Sequence, residues 1–155
     1  LGLREATLDP ACLARAAMEG VTIGLNYGLR RLRELGIRPR EIRLTGGGAR
    51  NALWRQIAAD VFECPIVCPV EDEGAAYGAA LHALWVHGRE RGGPGIGELV
   101  DRHVALDETT RAEPDARRAA TYRELQAIFE DAAARLGPTF ARHRAVVSAG
   151  DPPRT

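Results

Sequence analysis

Apolar residues recur along this chain with a helical period in its first third, as short runs in its middle, and with a helical period again near its end. Leu13, Ala17, Val21, Leu25, Leu29 and Leu32 fall three or four residues apart, the spacing that lines side chains along one stripe of an α-helix. Asp9-Pro10 supplies a favoured cap followed by a proline at the first helical position, where its missing N–H costs nothing. Gly36 supplies the left-handed residue that ends many helices. The pattern predicts a helix from about residue 10 to about Leu35, with the leucine-rich stripe as its core face. Gly20, Gly24 and Gly28 share another face of it. Each costs a helix interior about 1 kcal/mol against alanine, so either another backbone packs closely there or the face borders a substrate; close packing is the expectation.

The run Glu41 to Thr45 alternates and enters Gly46-Gly47-Gly48, the pattern of a strand ending in a tight loop. Leu53, Trp54, Ile57, Ala58, Val61 and Phe62 then return to helical spacing over residues 51–62. Pro65 to Val70 is an apolar run fenced by prolines, which predicts a second strand at a sheet edge, because proline cannot donate to the ladder. After Glu71-Asp72-Glu73 comes a helix of small residues from Gly74 to about His87. The glycine-rich stretch 92–97 reads as a loop, residues 98–102 as a short helix and Val104 to Leu106 as a brief strand. Residues 115–136 form a clear amphipathic helix, with Ala119, Tyr122, Leu125, Ile128, Phe129, Ala132 and Leu136 on one side. Gly137-Pro138 is predicted to stop it, which makes residues 1–136 the folded domain and 137–155 a flexible tail. The β-α-β-α order predicts an α/β layer architecture.

Composition narrows the function classes. The chain has 155 residues, enough for one domain with its own core. It is 45% hydrophobic and 27% charged, with 21 basic residues against 21 acidic. No apolar run approaches the ~20 residues of a membrane span. Arg30, Arg31, Arg33, Arg38, Arg40 and Arg43 crowd one segment, but few aromatics accompany them, so they read as solvated charge and not as a nucleic-acid footprint. Cys64 and Cys68 are separated by three residues, which fits neither a C-x-x-C redox pair nor a zinc knuckle. With Cys12 they read as buried free thiols in a reducing cytoplasm. The chain opens Leu-Gly-Leu-Arg-Glu without an initiator methionine or signal-peptide regions, so a segment upstream is expected.

The sharpest chemical signal is Thr45-Gly46-Gly47-Gly48-Ala49-Arg50-Asn51. Consecutive glycines let a backbone take positive φ and approach a ligand without an intervening Cβ, and the following helix offers unpaired N–H groups to a phosphate. On this reading Gly47→Val abolishes nucleotide binding. A triple glycine alone also suits a flexible turn. The sequence fits no P-loop, since no lysine follows Gly48, and a dinucleotide fingerprint starting at Gly46 finds Asn51 where its third glycine belongs. A Rossmann-type enzyme, with Glu71 or Asp72 at the ribose, is therefore a distant reading.

The longer string from Arg43 through Phe62, followed by Pro65-Ile66-Val67 and Glu73-Gly74-Ala75-Ala76-Tyr77-Gly78-Ala79-Ala80, resembles the C-terminal signature of the FGGY family of carbohydrate kinases, most of all its xylulokinase branch. Ala16 to Val21 and Ala119 to Tyr122 sit where that family has comparable segments. The resemblance implies a ribonuclease H-like fold of the actin-like ATPase and sugar-kinase type, present here as part of a C-terminal domain. It implies ATP with its magnesium as cofactors, a small sugar such as a pentulose as substrate, and a cytoplasmic enzyme. Gly46, Gly47, Gly48 and Ala49 correspond to the loop lying against the nucleotide, and Asn51 to a polar residue near the adenine edge. The segment 74–80 resembles a helix that packs between the two domains of such kinases, and Trp54 reads as core.

The family's phosphate loop and catalytic aspartate match nothing in the chain. Both are expected upstream of Leu1, in an N-terminal domain that would be the main partner; a homodimer is a further possibility. Glu71, Asp72 and Glu73 read as solvated charge at a helix start, with no metal site of their own, and Asp60 as an ordinary helix position. The competing reading is a truncated, non-catalytic nucleotide fold serving as a binding or dimerisation module.

Overall fold

A computed structural model describes residues 4, 5, 8–71 and 73–150, with the side chains of 149 and 150 left aside. The elements run α1 (Pro10–Glu34), β1 (Ile42–Arg43), a 3-10 turn (Gly47–Arg50), α2 (Ala52–Phe62), β2 (Ile66–Pro69), α3 (Gly74–Arg89), α4 (Ile96–His103), β3 (Leu106–Ala112) and α5 (Ala116–Gly150). The strands form one sheet in the order β1-β2-β3. β1 pairs parallel with β2, Ile42 opposite Ile66, through the α2 crossover, and β3 returns antiparallel, with Ile66 opposite Ala112.

The helix caps follow the sequence closely. The Asp9 carboxylate accepts from the N–H groups of Ala11 and Cys12 at 2.8 and 3.3 Å. At the other end Gly36 takes φ +87°, and the Gly36 and Ile37 N–H groups donate back to Arg33 and Leu32, closing the orphan carbonyls of the last turn. Asn51 caps α2 by accepting from Leu53 N and Trp54 N at 2.9 and 3.3 Å.

α2 is the centre of the core. Ile57, Ala58, Ala59, Val61 and Phe62 are buried with Ile23 of α1, Cys64, Ile66, Ala112 and Tyr122 of α5. Asp60 is also buried there, 1% exposed. Its carboxylate accepts from Asp115 N at 2.8 Å, Gln56 Nε2 at 3.0 Å and Arg118 Nε at 2.5 Å, so it ties α2 to the start of α5. Cys64 and Cys68 are buried free thiols, and burial holds Cys64 above the ordinary thiol value.

Several expectations change. The leucine stripe of α1 is not its core face: Val21 and Leu25 are 54% and 57% exposed, and Leu13 and Leu32 are exposed too. The buried side carries Thr22, Ile23 and Asn26, with Met18 and Leu29 packed against it. The polar members of that face bond to partners on α2 and α5, Thr22 to Trp54 and the Asn26 NH₂ to Gln126, which periodicity of apolar residues cannot reveal. Gly20 and Gly28 have open space where a Cβ would stand, and at Gly24 only the Phe129 ring comes near, at 4.0 Å. The expected close packing of that glycine face is therefore absent within the described residues. β2 is the central strand and not an edge, because Pro65 and Pro69 fall at its ends, where few ladder bonds are lost. β3 extends well beyond the predicted 104–106, and α4 starts earlier than predicted, at Ile96. Gly137-Pro138 does not end α5, which runs through both to Gly150; proline there removes one hydrogen bond but not the helix. Residues 151–155 of the predicted tail, and Asp72, lie outside the described residues. Cys12 is exposed, not buried.

No helix among the described residues is long and apolar enough to cross a membrane.

Candidate functional site

The glycine loop joins β1 to α2 at the end of the parallel strand. Gly46 takes φ +90°, a conformation open to glycine and strained for other residues. Its carbonyl accepts from Ala49 N at 2.9 Å, and Gly48 O accepts from Asn51 N at 3.0 Å, so the chain tightens into a 3-10 turn. The first N–H groups of such a turn, on Gly47 and Gly48, have no carbonyl one turn earlier in the helix. Nothing lies within 4 Å of where a Cβ on Gly46 or Gly47 would stand.

Gly48 differs from its neighbours. A Cβ placed there would fall 1.8 Å from Trp54 Cζ3, so the loop lies directly on the indole. The Trp54 Nε1–H donates to Thr22 Oγ1 at 2.9 Å, and Thr22 donates to Met18 O at 2.7 Å, which pins the ring to α1. Ala49 is 4% exposed. Its carbonyl accepts from Arg55 Nη1 at 2.7 Å, and Arg55 Nε donates to Thr110 O at 3.0 Å, tying the turn to β3. The Asn51 carboxamide is exposed, with its oxygen committed to the cap and its nitrogen 3.9 Å from Met18 Sδ. Gly74, the first residue of α3, meets Thr45 so closely that a Cβ would stand 3.0 Å from Thr45 Oγ1. The small-residue helix thus starts beside the loop.

The structure therefore places the five predicted site residues in one continuous turn but divides their roles. Gly46 and Gly47 are exposed and unobstructed, Gly48 rests on Trp54, Ala49 anchors the turn from beneath, and Asn51 starts α2. Positive φ belongs to Gly46 and not to Gly47; the backbone half of the argument for Gly47→Val does not hold, and only the half about filling open space stands. Thr22, Trp54 and Arg55 were not singled out as supports of the loop by the sequence. Trp54 and Arg55 sit one helical turn past the glycines, a legible signal for loop buttresses, whereas nothing local links Thr22 to a loop more than twenty residues later. Glu71 and Glu73 are exposed. The open space where a side chain on Gly46 or Gly47 would stand leaves room for a phosphate chain to approach their backbone.

A strand, a glycine turn, a capped helix and a second parallel strand, with a helix of small residues starting at the loop, define an α/β domain of the actin-like ATPase and sugar-kinase type, present in part. A xylulose kinase structure from Lactobacillus acidophilus shares this fold with a TM-score of 0.76 at 24% identity, over 92% of this chain and 28% of that one. Residues 1–87 match the FGGY family of carbohydrate kinases, C-terminal domain, and the chain belongs to that family. It is 38% identical over 122 residues to the xylulose kinase of Haemophilus influenzae, covering 79% of this chain and 24% of the relative. To the gluconokinase of Bacillus licheniformis it is 32% identical over 118 residues, covering 76% of this chain and 22% of that protein. The chain thus spans about a quarter of the length of the curated relatives it matches.

Proposed function

We propose that this chain is the nucleotide-side part of an ATP-dependent sugar kinase. The observation that carries the reading is the unobstructed cradle over Gly46 and Gly47 at the end of a parallel strand, in a chain of the FGGY family. Gly46, Gly47 and Gly48 present backbone to the nucleotide phosphates, while Ala49, Asn51, Trp54 and Arg55 hold the turn in shape. ATP brings the phosphoryl group and its magnesium. Phosphoryl transfer depends mainly on positioning and charge stabilisation, and this chain's share is to bind and orient the nucleotide.

On this reading the catalytic base and most of the sugar site come from the rest of a kinase of the relatives' length. The exposed apolar residues of α1, Val21, Leu25 and Leu32 among them, and the exposed small residues of α3 are where that remainder docks. Exposed apolar surface on this scale marks an interaction face. The sugar is a pentulose, with xylulose favoured because the more similar of the two relatives described is a xylulose kinase. The gluconokinase similarity supports gluconate as a second reading. A soluble cytoplasmic enzyme follows from either.

The test is a coupled ADP-release assay on a polypeptide of the relatives' length containing this domain, offered xylulose, ribulose and gluconate. Turnover of one of them with Mg-ATP is the expected result. Nucleotide binding without turnover of any sugar would favour a non-catalytic module of the same fold.

A further inference from the structure

A second site lies at the far end of α2 from the glycine loop. Between the C-terminal turns of α1 and α2 and the N-terminal third of α5 is a cavity of about 530 Å³, within the size range of small-molecule pockets. α2 has 11 residues, so about 15 Å of helix separates this cavity from the loop. Its floor is formed by Asn26, Val61, Tyr122 and Gln126, all buried. Its rim carries Arg30, Arg33, Arg38 and Arg123, against two carboxylates, Glu34 and Glu63.

Three of these arginines have partners. Arg30 pairs with Glu130 at 2.8 Å, Arg123 with Glu63 at 2.6 Å, and Arg33 donates to Phe62 O. Arg38 has no ion pair or hydrogen bond among the described residues. The lining therefore keeps an excess of positive charge, in the side chain best suited to bidentate recognition of phosphate.

The floor adds a directional requirement. The Glu130 carboxylate accepts from Arg30 and, at 2.9 Å, from Gln126 Nε2. Because a carboxylate only accepts, Gln126 must turn its NH₂ toward Glu130 and its oxygen toward Asn26. Asn26 must then present its NH₂ to that oxygen, 3.2 Å away. The relay leaves Asn26 Oδ1 as the terminal acceptor, buried and without a partner among the described residues, on a residue only 6% exposed. Turning the Asn26 amide over would set two oxygens against each other, so no described residue satisfies that oxygen. A donor from a ligand would, once the lining shifts to admit it to an oxygen that is closed to solvent here.

We propose that this cavity is a second ligand site for a small phosphate ester bearing hydroxyl groups, its phosphate held by Arg38 and the neighbouring arginines and a hydroxyl donating to Asn26. The position, remote from the glycine loop, suits an effector and not a reactant. The proposal stands whether or not the loop holds a nucleotide.

The test is calorimetric titration of the full-length protein with ribose 5-phosphate, with ribose and inorganic phosphate as separate probes. Ribose 5-phosphate is expected to bind at least about tenfold more tightly than either half alone. Arg38→Glu, at an exposed and unpaired residue, is expected to weaken it by a further factor of about ten or more without changing the melting temperature. Asn26→Ala is expected to remove the preference of the ester over inorganic phosphate. No binding of the ester at about 10 mM would overturn the proposal. So would unchanged affinity in Arg38→Glu, or loss of binding in Gly47→Val with Arg38→Glu unaffected, which would put the ester at the glycine loop.

Discussion

The indole of Trp54 occupies the place that a side chain on Gly48 would take, with Cζ3 1.8 Å from the position of its Cβ. Glycine at 48 is thus required by its packing on Trp54, with no positive φ asked of it. Gly48→Val must push the ring away from Thr22 and break the Nε1–H bond. Overpacking of this kind typically costs about 1–3 kcal/mol, and a clash with a pinned aromatic ring belongs at the upper end. Urea denaturation is expected to show that loss, together with a red-shifted tryptophan emission; an unchanged midpoint would mean the ring does not support the loop.

Asn51 caps α2 and does not turn its oxygen outward. Replacing it with alanine is expected to cost about 1 kcal/mol of stability, whereas Asn51→Asp keeps the cap and the stability. If Asn51→Asp also leaves Mg-ATP affinity intact, the residue serves the helix start; a selective loss of affinity at unchanged stability would place it at the base instead.

Asp60 accepts from Gln56 on its own helix and joins α2 to α5 through two further donors, the Asp115 N–H and Arg118. Asp60→Ala leaves Gln56, the Asp115 N–H and Arg118 without their acceptor, and a loss of about 3 kcal/mol is expected by chemical denaturation. Arg118→Met removes the partner of a buried carboxylate and is expected to destabilise as well, read by the same chemical denaturation.

Stability is expected to fall at both ends of the pH scale. The Asp9 carboxyl is held below its ordinary 3.8 by the Cys12 thiol and the Ala11 and Cys12 N–H groups, and that of Asp115 by the Arg118 N–H. Each contributes stability that is present above 3.8 and is lost as pH falls through the folded value. Burial, aided by its bond to Glu19, raises the Tyr122 phenol above 10.0. That contribution is complete below 10.0 and is lost as pH rises through the folded value. Thermal melts across pH read both limbs, and Asp9→Ala combined with Asp115→Ala is expected to flatten the acid limb.

Much of this architecture is legible in the sequence where the cause is local. Asp9-Pro10 and Gly36 mark helix ends because caps act within a turn of the chain, and the glycine run marks its own loop. What escaped depends on partners distant in sequence. The core face of α1 is set by Thr22 beneath Trp54 and Asn26 beside Gln126, so polar residues took the buried side and the leucines were left outside. Gly137-Pro138 looks like a stop, yet α5 continues, because one missing hydrogen bond does not outweigh the helix on either side. Within the loop, the sequence indicates that glycine is needed but not why; conformation, open space and packing fall in turn on Gly46, Gly47 and Gly48.

That division makes Gly47→Val the most direct test of the central claim. The position has ordinary φ and open space above it, so valine there disturbs only what occupies the cradle. Calorimetric titration of Mg-ATP into the full-length protein, wild type and variant, is the measurement, with a thermal melt of each. The account predicts that the wild type binds, and that Gly47→Val melts at the wild-type temperature without binding. A variant that binds Mg-ATP with unchanged affinity would show that the loop is a turn and not a nucleotide site.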